Sequence, residues 1–337
     1  MKGRESYLKF INELTEGERV ESVFAAIDKQ LRTTRAGKSF LSLKLSDKTG
    51  SIDAVVWDNA EALALKFEKG DFLGIRADVN SYQGTNQLTI QALKKVEKTA
   101  EYAARMLPTT EKDVDGMASE LKAIAATIAN SKVRGLVMGF FEDEAFMTEF
   151  KAAPAAKGMH HVFAGGLIQH TLKVTRLSDS IYREYEGTDP KISAMMNRDL
   201  LIAGAILHDI GKMQELSSDP GFDYTVKGRL IGHISLGIMT LKERMDRIEG
   251  FPEDAYNILI HMMLSHHGEL EFGSPKRPKC MEAFILHYAD NLDAKLQGLM
   301  EYAGKDTAEG EFTAFHRLYE RQFYKGKVDL EEAPDEV

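Results

Sequence analysis

His208 and Asp209 close an apolar run, DLLIAGAILHDIGKM (residues 199–213), with Gly211 and Lys212 directly behind them. Leu200, Leu201, Ala203, Ala205, Ile206 and Leu207 have the density of a buried helix. Two ionisable groups at the end of such a run are costly to bury unless something charged meets them. A divalent cation does that, because imidazole and carboxylate are ordinary ligands for hard or borderline ions. Neighbouring residues on a helix point about 100° apart, so this pair cannot close a coordination shell alone. Other helices must contribute, and the candidates are His170 in GGLIQHTLKV, His233 in LIGHISLG, His266 and His267 in MMLSHHGEL, and Asp290 in LHYADNLDAK.

His170, His208, Asp209 and Asp290 make a mixed nitrogen and oxygen shell with room for water. Asp209 has two oxygens and can bridge two ions, whereas a neutral imidazole offers one free lone pair. His233 and His266 would complete a second ion, with the choice between His266 and His267 left open. Two ions ~3.5–4 Å apart clamp the attacking and leaving oxygens of a phosphodiester and lower the pKa of a water between them. Such a water replaces a nucleophilic side chain, which fits a sequence with no convincing Ser-His-Asp or Cys-His set. Lys212 is the natural catalytic partner of Asp209: its ammonium can hold a phosphate oxygen and stabilise charge in the transition state. The plainer readings are a surface lysine after a helix end for Lys212 and a core histidine for His233. His261 and His287 read as packing groups or groups behind the ligands, His316 as surface, and Asp293 as a residue that orients a ligand or caps. Arg229 is a candidate phosphate contact, set against the commoner exposed arginine at a helix start.

A core helix ending in HD-x-G-K, with four more histidines and an aspartate in helical contexts, resembles the HD-domain metal-dependent phosphohydrolases over residues 159–296. The resemblance implies a divalent metal. Members with the longer ligand set imply two ions, manganese first, with iron, cobalt, nickel and zinc as alternatives for such a shell.

The elements that must carry these groups fall into blocks. Residues 1–16 are a lead-in. Residues 17–98 change to strand periodicity, with strands at 20–27, 40–47, 51–58, 71–79 and 86–93 and a short helical insert at 59–69. Five strands with a helix after the third match the OB-fold, a Greek-key β-barrel whose strands two and three and 1–2 and 4–5 loops face the ligand. The first of those loops holds Lys29, Arg32, Arg35 and Lys38, with Phe40 just after, and the other holds Tyr82. Basic groups track phosphates and aromatic faces stack bases. Trp57 and Phe72 read as barrel core. Residues 99–158 are a helical connector, with helices at 118–129 and 133–150. Residues 159–300 are the all-α metal domain, with helices at 167–185, 193–208, 231–248, 253–266 and 281–299. Residues 301–337 are an extension with a helix at 313–324 and an acidic tail. The fold class is therefore multidomain, α and β: a five-stranded barrel followed by an all-α domain.

The chain has 337 residues, 43% hydrophobic and 28% charged, enough for two domains and a sizeable core. No apolar stretch reaches the ~18 residues of a membrane span, and MKGRESYLKF lacks the apolar stretch of a signal peptide. Cys280 stands alone, so no internal disulfide forms, which is compatible with the cytoplasm, the expected location. The net charge of −9 argues against loose whole-surface affinity for nucleic acid. Residues 18–98 nevertheless carry 13 Lys and Arg against 11 Asp and Glu, a net of +2, so the positive excess is local to the barrel.

The whole order, a barrel, a helical connector, a metal domain opening HHVFAGGLIQHT and a closing FHRLYERQFYKG, resembles the YhaM-type 3′–5′ exoribonucleases over residues 15–327. That resemblance implies a 3′–5′ exonuclease on single-stranded RNA, or DNA, with the barrel threading the strand. It also implies His160 and His161 as substrate contacts, against a role in capping a helix entry. The alternative function is a nucleotide phosphatase or cyclic-nucleotide phosphodiesterase, for which the barrel has no use. A homo-oligomer would suit a processive enzyme, but no residue pattern argues for one.

Overall fold

The computed structural model describes residues 8–34, 36–82, 84–106, 110, 112–157, 163–217 and 223–326. Strands β1 (Arg19–Thr33), β2 (Ser39–Asp47), β3 (Gly50–Val56), β4 (Phe72–Tyr82) and β5 (Thr85–Val96) close into a barrel in the order β1-β2-β3-β5-β4. Period-two alternation explains the facing: Leu41, Leu43 and Leu45 of β2 and Leu73, Ile75 and Val79 of β4 are buried inside, with Lys44 and Arg76 outside. Closure comes from a short parallel pairing of β3 with β5 around Ala54 and Leu88. Helix α1 (Ala60–Ala64) and Phe67, both between β3 and β4, plug one end of that core.

β1 outruns its expected end at residue 27. A bulge between Ala26 and Asp28 shifts its register, and pairing with β2 continues to Thr33–Ser39. Backbone bonds alone extend the hairpin past the last inward apolar residue, so hydrophobic alternation could not mark its end. Lys29 and Arg32 are consequently strand residues, opposite Leu43 and Phe40, and not loop residues.

The helical part contains α2 (Ala100–Met106), α3 (Val114–Ala126), α4 (Ser131–Phe141), α5 (Glu144–Ala152), α6 (Gly166–Tyr185), α7 (Pro190–Ser193), α8 (Arg198–Leu207), α9 (Lys212–Glu215), α10 (Val226–Ile231), α11 (His233–Met245), α12 (Glu253–Ser265) and α13 (Met281–Lys305). The apolar helix α8 is buried from Leu200 to Leu207 and packs among α3, α4, α6, α12 and α13. No helix among the described residues is long and apolar enough to cross a membrane.

Several expected helices are divided, and each division has a local cause. The helix expected at 133–150 breaks where the Asp143 carboxylate accepts from Phe146 N and starts α5 as an N-cap. The one expected at 193–208 breaks where Asn197 caps α8 through Leu200 N. The one expected at 231–248 breaks at Gly232, whose φ of +79° no helix allows. The helix expected at 313–324 is absent. That segment doubles back, with antiparallel bridges Phe312–Tyr324 and His316–Arg321 and a turn at Glu320, φ +52°. Asp306 binds both arms, accepting from Ala314 N and from Lys325 Nζ, and these long-range bonds outweigh local helical spacing.

Candidate metal centre

Five elements converge on Asp209. It lies in the turn after α8, where helix geometry also buries His208. α6 brings His170 from its first turns, α13 brings Asp290 from its middle, the end of α12 brings His266 and His267, and the start of α11 brings His233. Gly211 permits this last approach: a Cβ there would lie 1.9 Å from the His233 carbonyl oxygen, so any larger residue would push α11 away.

The two Asp209 oxygens face different sets. Oδ2 lies 3.3 Å from His208 Nε2 and 3.5 Å from His170 Nε2, and His170 Nε2 is 3.1 Å from Asp290 Oδ1. Oδ1 lies 3.6 Å from His266 Nε2 and 3.7 Å from His233 Nε2. His170, His208 and Asp290 form one group with ligand atoms within 4.8 Å of one another, and His233, His266 and His267 form a second. His266 and His267 both lie in that second group. Lys212 Nζ sits 2.6 Å from Asp209 Oδ2.

Each of the five imidazoles turns Nδ1 to an oxygen. His170 meets Asp293 at 2.7 Å, His208 the Ala205 carbonyl at 2.9 Å, His233 Glu215 at 3.1 Å, His266 the Met263 carbonyl at 2.8 Å and His267 the Phe272 carbonyl at 3.1 Å. An oxygen acceptor needs a proton on Nδ1, so in the neutral ring Nε2 keeps its lone pair. That is the arrangement of histidines that hold a metal.

The donor set fits a cation on a further ground. Asp209 Oδ1, His233 Nε2 and His266 Nε2 are buried without a hydrogen-bond partner among the described residues. A buried polar atom left unpaired costs about 1–3 kcal/mol, and three of them surround one point. A divalent ion would satisfy all three at once.

Electrostatics follow the same layout. Burial opposes ionisation of Asp209, but the Lys212 ammonium and His208 outweigh it and hold the carboxyl well below its usual range. Burial likewise works against the charged form of Asp290, and His170 and His208 overcome it, holding that carboxyl low. Burial acts on His170 too, yet Asp209, Asp290 and Asp293 keep its pKa well above normal. His266 is shifted down by burial, and His267 falls to about 4 through burial and its neighbours His266 and His233. Burial raises the Cys280 thiol to about 11, which removes it as a nucleophile at neutral pH.

Other expectations fare differently. Arg229 pairs with Asp223 at 3.1 Å and is not among the residues lining the cavity over the centre. The Lys29 ammonium donates to the Ala64 and Phe67 carbonyls and to Glu68, so it fastens the β3–β4 connection. Arg32 donates to Gln30, Lys38 pairs with Asp58 at 3.2 Å, and both are exposed on the barrel with Tyr82. Arg35, His160 and His161 lie outside the described residues. Trp57, read as core, is instead 39% exposed, its ring 4.9 Å from that of Phe40. The signal was available in the register: Leu41 pairs with Val56, which brings Phe40 and Trp57 together across β2 and β3. Glu215 was missed, because nothing in QEL marks it as the partner of a histidine eighteen residues on.

Residues 167–295 match the HD domain family and residues 26–96 match an OB-fold nucleic acid binding domain. Proteins named 3′-5′ exoribonuclease YhaM from Bacillus velezensis and Bacillus subtilis are each 34% identical over 311 residues, covering 92% of this chain and 95% of theirs. The protein of that name from Listeria innocua is also 34% identical over 311 residues, covering 91% of this chain and 95% of its own.

Proposed function

The chain belongs to the YhaM family of 3′–5′ exoribonucleases, and from that premise we propose that it removes nucleotides from the 3′ end of single-stranded RNA by metal-dependent hydrolysis. One observation carries the reading: two groups of ligands straddle Asp209, each oxygen of which faces its own group. In this reading His170, His208, Asp209 and Asp290 hold one divalent ion, and His233, His266 and His267 with Asp209 hold a second. Manganese is the first candidate. When bound, such ions supply Lewis acidity toward the phosphodiester and a water of lowered pKa.

The chain's own residues do the rest. Asp293 and Glu215 fix the rings of His170 and His233 from behind. Lys212 neutralises Asp209 and, lining the cavity, presents its ammonium to a phosphate oxygen. The barrel, taken as residues 17–98, guides the strand toward the helical unit of residues 159–300. Phe40 and Trp57 offer a stacking surface, with Arg32, Arg35, Lys38 and Tyr82 around it. His160 and His161 belong to the proposal as substrate contacts. The cytoplasm is the proposed location. A homo-oligomer is supported by one feature, the exposed apolar residues Phe284, Tyr288, Leu292, Leu296 and Met300 along one stripe of α13.

The test is to incubate the protein with Mn²⁺ and a 5′-labelled oligoribonucleotide, beside its DNA counterpart, mononucleotides and cyclic dinucleotides. A ladder shortening from the 3′ end is expected. Asp209→Asn should abolish it while leaving strand binding intact. Turnover of the small compounds alone would replace the exonuclease by a small-nucleotide phosphodiesterase, and DNA turnover would widen the substrate.

A further inference from the structure

The cavity over the metal centre, about 580 Å³, has one wall made by the segment that doubles back after α13. Leu318, Tyr319 and Arg321 line it from that hairpin, and Lys295 lines it from α13. Such a volume is in the range of small-ligand sites.

The hairpin is a fixed wall. Tyr319 Oη donates to the Lys295 carbonyl at 3.3 Å and Tyr302 Oη to the Ala314 carbonyl at 2.8 Å. The His316 ring packs against Tyr302 at 4.3 Å and Tyr319 at 4.7 Å. Arg321 Nε donates to the Tyr319 carbonyl at 2.8 Å, which anchors the side chain near its root. Both of its Nη groups, and the Lys295 ammonium, have no partner among the described residues. Two neighbouring cations sit against carboxylates, Lys212 on Asp209 and Lys173 on Asp293.

Two unpaired cations at a cavity that also holds the metal ligands call for an anion. The wall includes Glu320, whose carboxylate opposes one, so Lys295 and Arg321 are needed together for net attraction. Lys295 stands five residues beyond Asp290 on α13 and lines the same cavity. Phe272 and Leu318, 58% and 59% exposed, add apolar faces to the same cavity.

We propose that Lys295 and Arg321 hold the phosphates immediately 5′ of the bond being cut, while Phe272 and Leu318 meet the adjoining bases. The C-terminal hairpin thereby seats the 3′ end of the strand, and Arg321 is a positioning and affinity residue of the exonuclease. This rests on the exonuclease reading given above.

The experiment measures inhibition of the metal-loaded, full-length protein by an oligoadenylate with phosphorothioate linkages at its 3′ end, over a range of salt. Lys295→Gln and Arg321→Gln, both exposed sites, should each raise the inhibition constant about tenfold. Each should reduce the salt slope by about 0.7, the contribution of one phosphate contact on a single strand. KM should rise in step, with metal content and Tm unchanged. Arg321→Lys should restore the salt slope and part of the affinity. If the wild type shortens RNA while both variants keep its inhibition constant and salt slope, the proposal is overturned. If the wild type does not shorten RNA, the exonuclease reading falls first and this one with it.

Discussion

Asp293 Oδ2 accepts the Nδ1 proton of His170 at 2.7 Å, joining α13 to α6 across 123 residues of sequence. Lys173, 3.3 Å from the other oxygen, keeps that carboxylate in place. The pair fixes the ring so that Nε2 faces Asp209 and Asp290. Removing such a partner weakens metal binding about 10–100-fold. Asp293→Ala should therefore weaken binding of the ion at the His170 group by that factor in a metal titration, and reduce cleavage at limiting metal but less at saturating metal. Unchanged affinity would reduce Asp293 to a packing role.

Trp57 is the single tryptophan of the chain, exposed on the barrel against Phe40. Its fluorescence reports on that surface alone. Adding oligouridylate should quench it in a saturable way, and Trp57→Ala should weaken strand binding by about 1–3 kcal/mol, the contribution of one stacked base. No spectral change at saturating RNA would move the strand to another face.

The pH dependence of the metal-free protein follows from its histidines. His267, lowered to about 4 by burial and by His266 and His233, would titrate near 6.5 in the unfolded chain. Between those values the unfolded state binds the extra proton, so stability falls as the pH drops from about 6.5 toward 4 and is whole above that window. His266, also lowered, acts in the same direction. His170 has the opposite sign: its raised pKa contributes stability that is full below about 6.5 and is lost as the pH climbs through its folded value. His267→Asn should flatten the acid limb of Tm against pH in chelator-treated protein. An unchanged limb would contradict the role given to His267.

Asp223 ties the barrel to the helical unit. It pairs with Lys69 from the β3–β4 connection, with Lys157 at 2.5 Å and with Arg229 at 3.1 Å. Partly exposed pairs contribute about 0.2–1 kcal/mol each, so Asp223→Ala should shift Tm little. It should loosen the barrel's position and raise KM on long strands several-fold while leaving dinucleotide cleavage alone. An equal effect on both substrates would mean that the latch does not bear on strand guidance.

Much of this was legible in residue order because the signals were local. Alternation in FLSLKLSD and DFLGIRADV marks strands, and the apolar run ahead of His208 and Asp209 marks a buried helix that ends in ligands. Residue type made His170, His233, His266, His267 and Asp290 candidates wherever they lay. The tertiary structure decided which carboxylates orient the rings of His170 and His233, because Asp293 and Glu215 come from elsewhere in the chain. It decided that Lys29 is consumed by the Ala64 and Phe67 carbonyls, and that residues 312–324 double back to wall the cavity instead of forming a helix. Spacing along a chain reports what a segment prefers by itself; partners tens of residues away determine which way a side chain points and what it has left to bind.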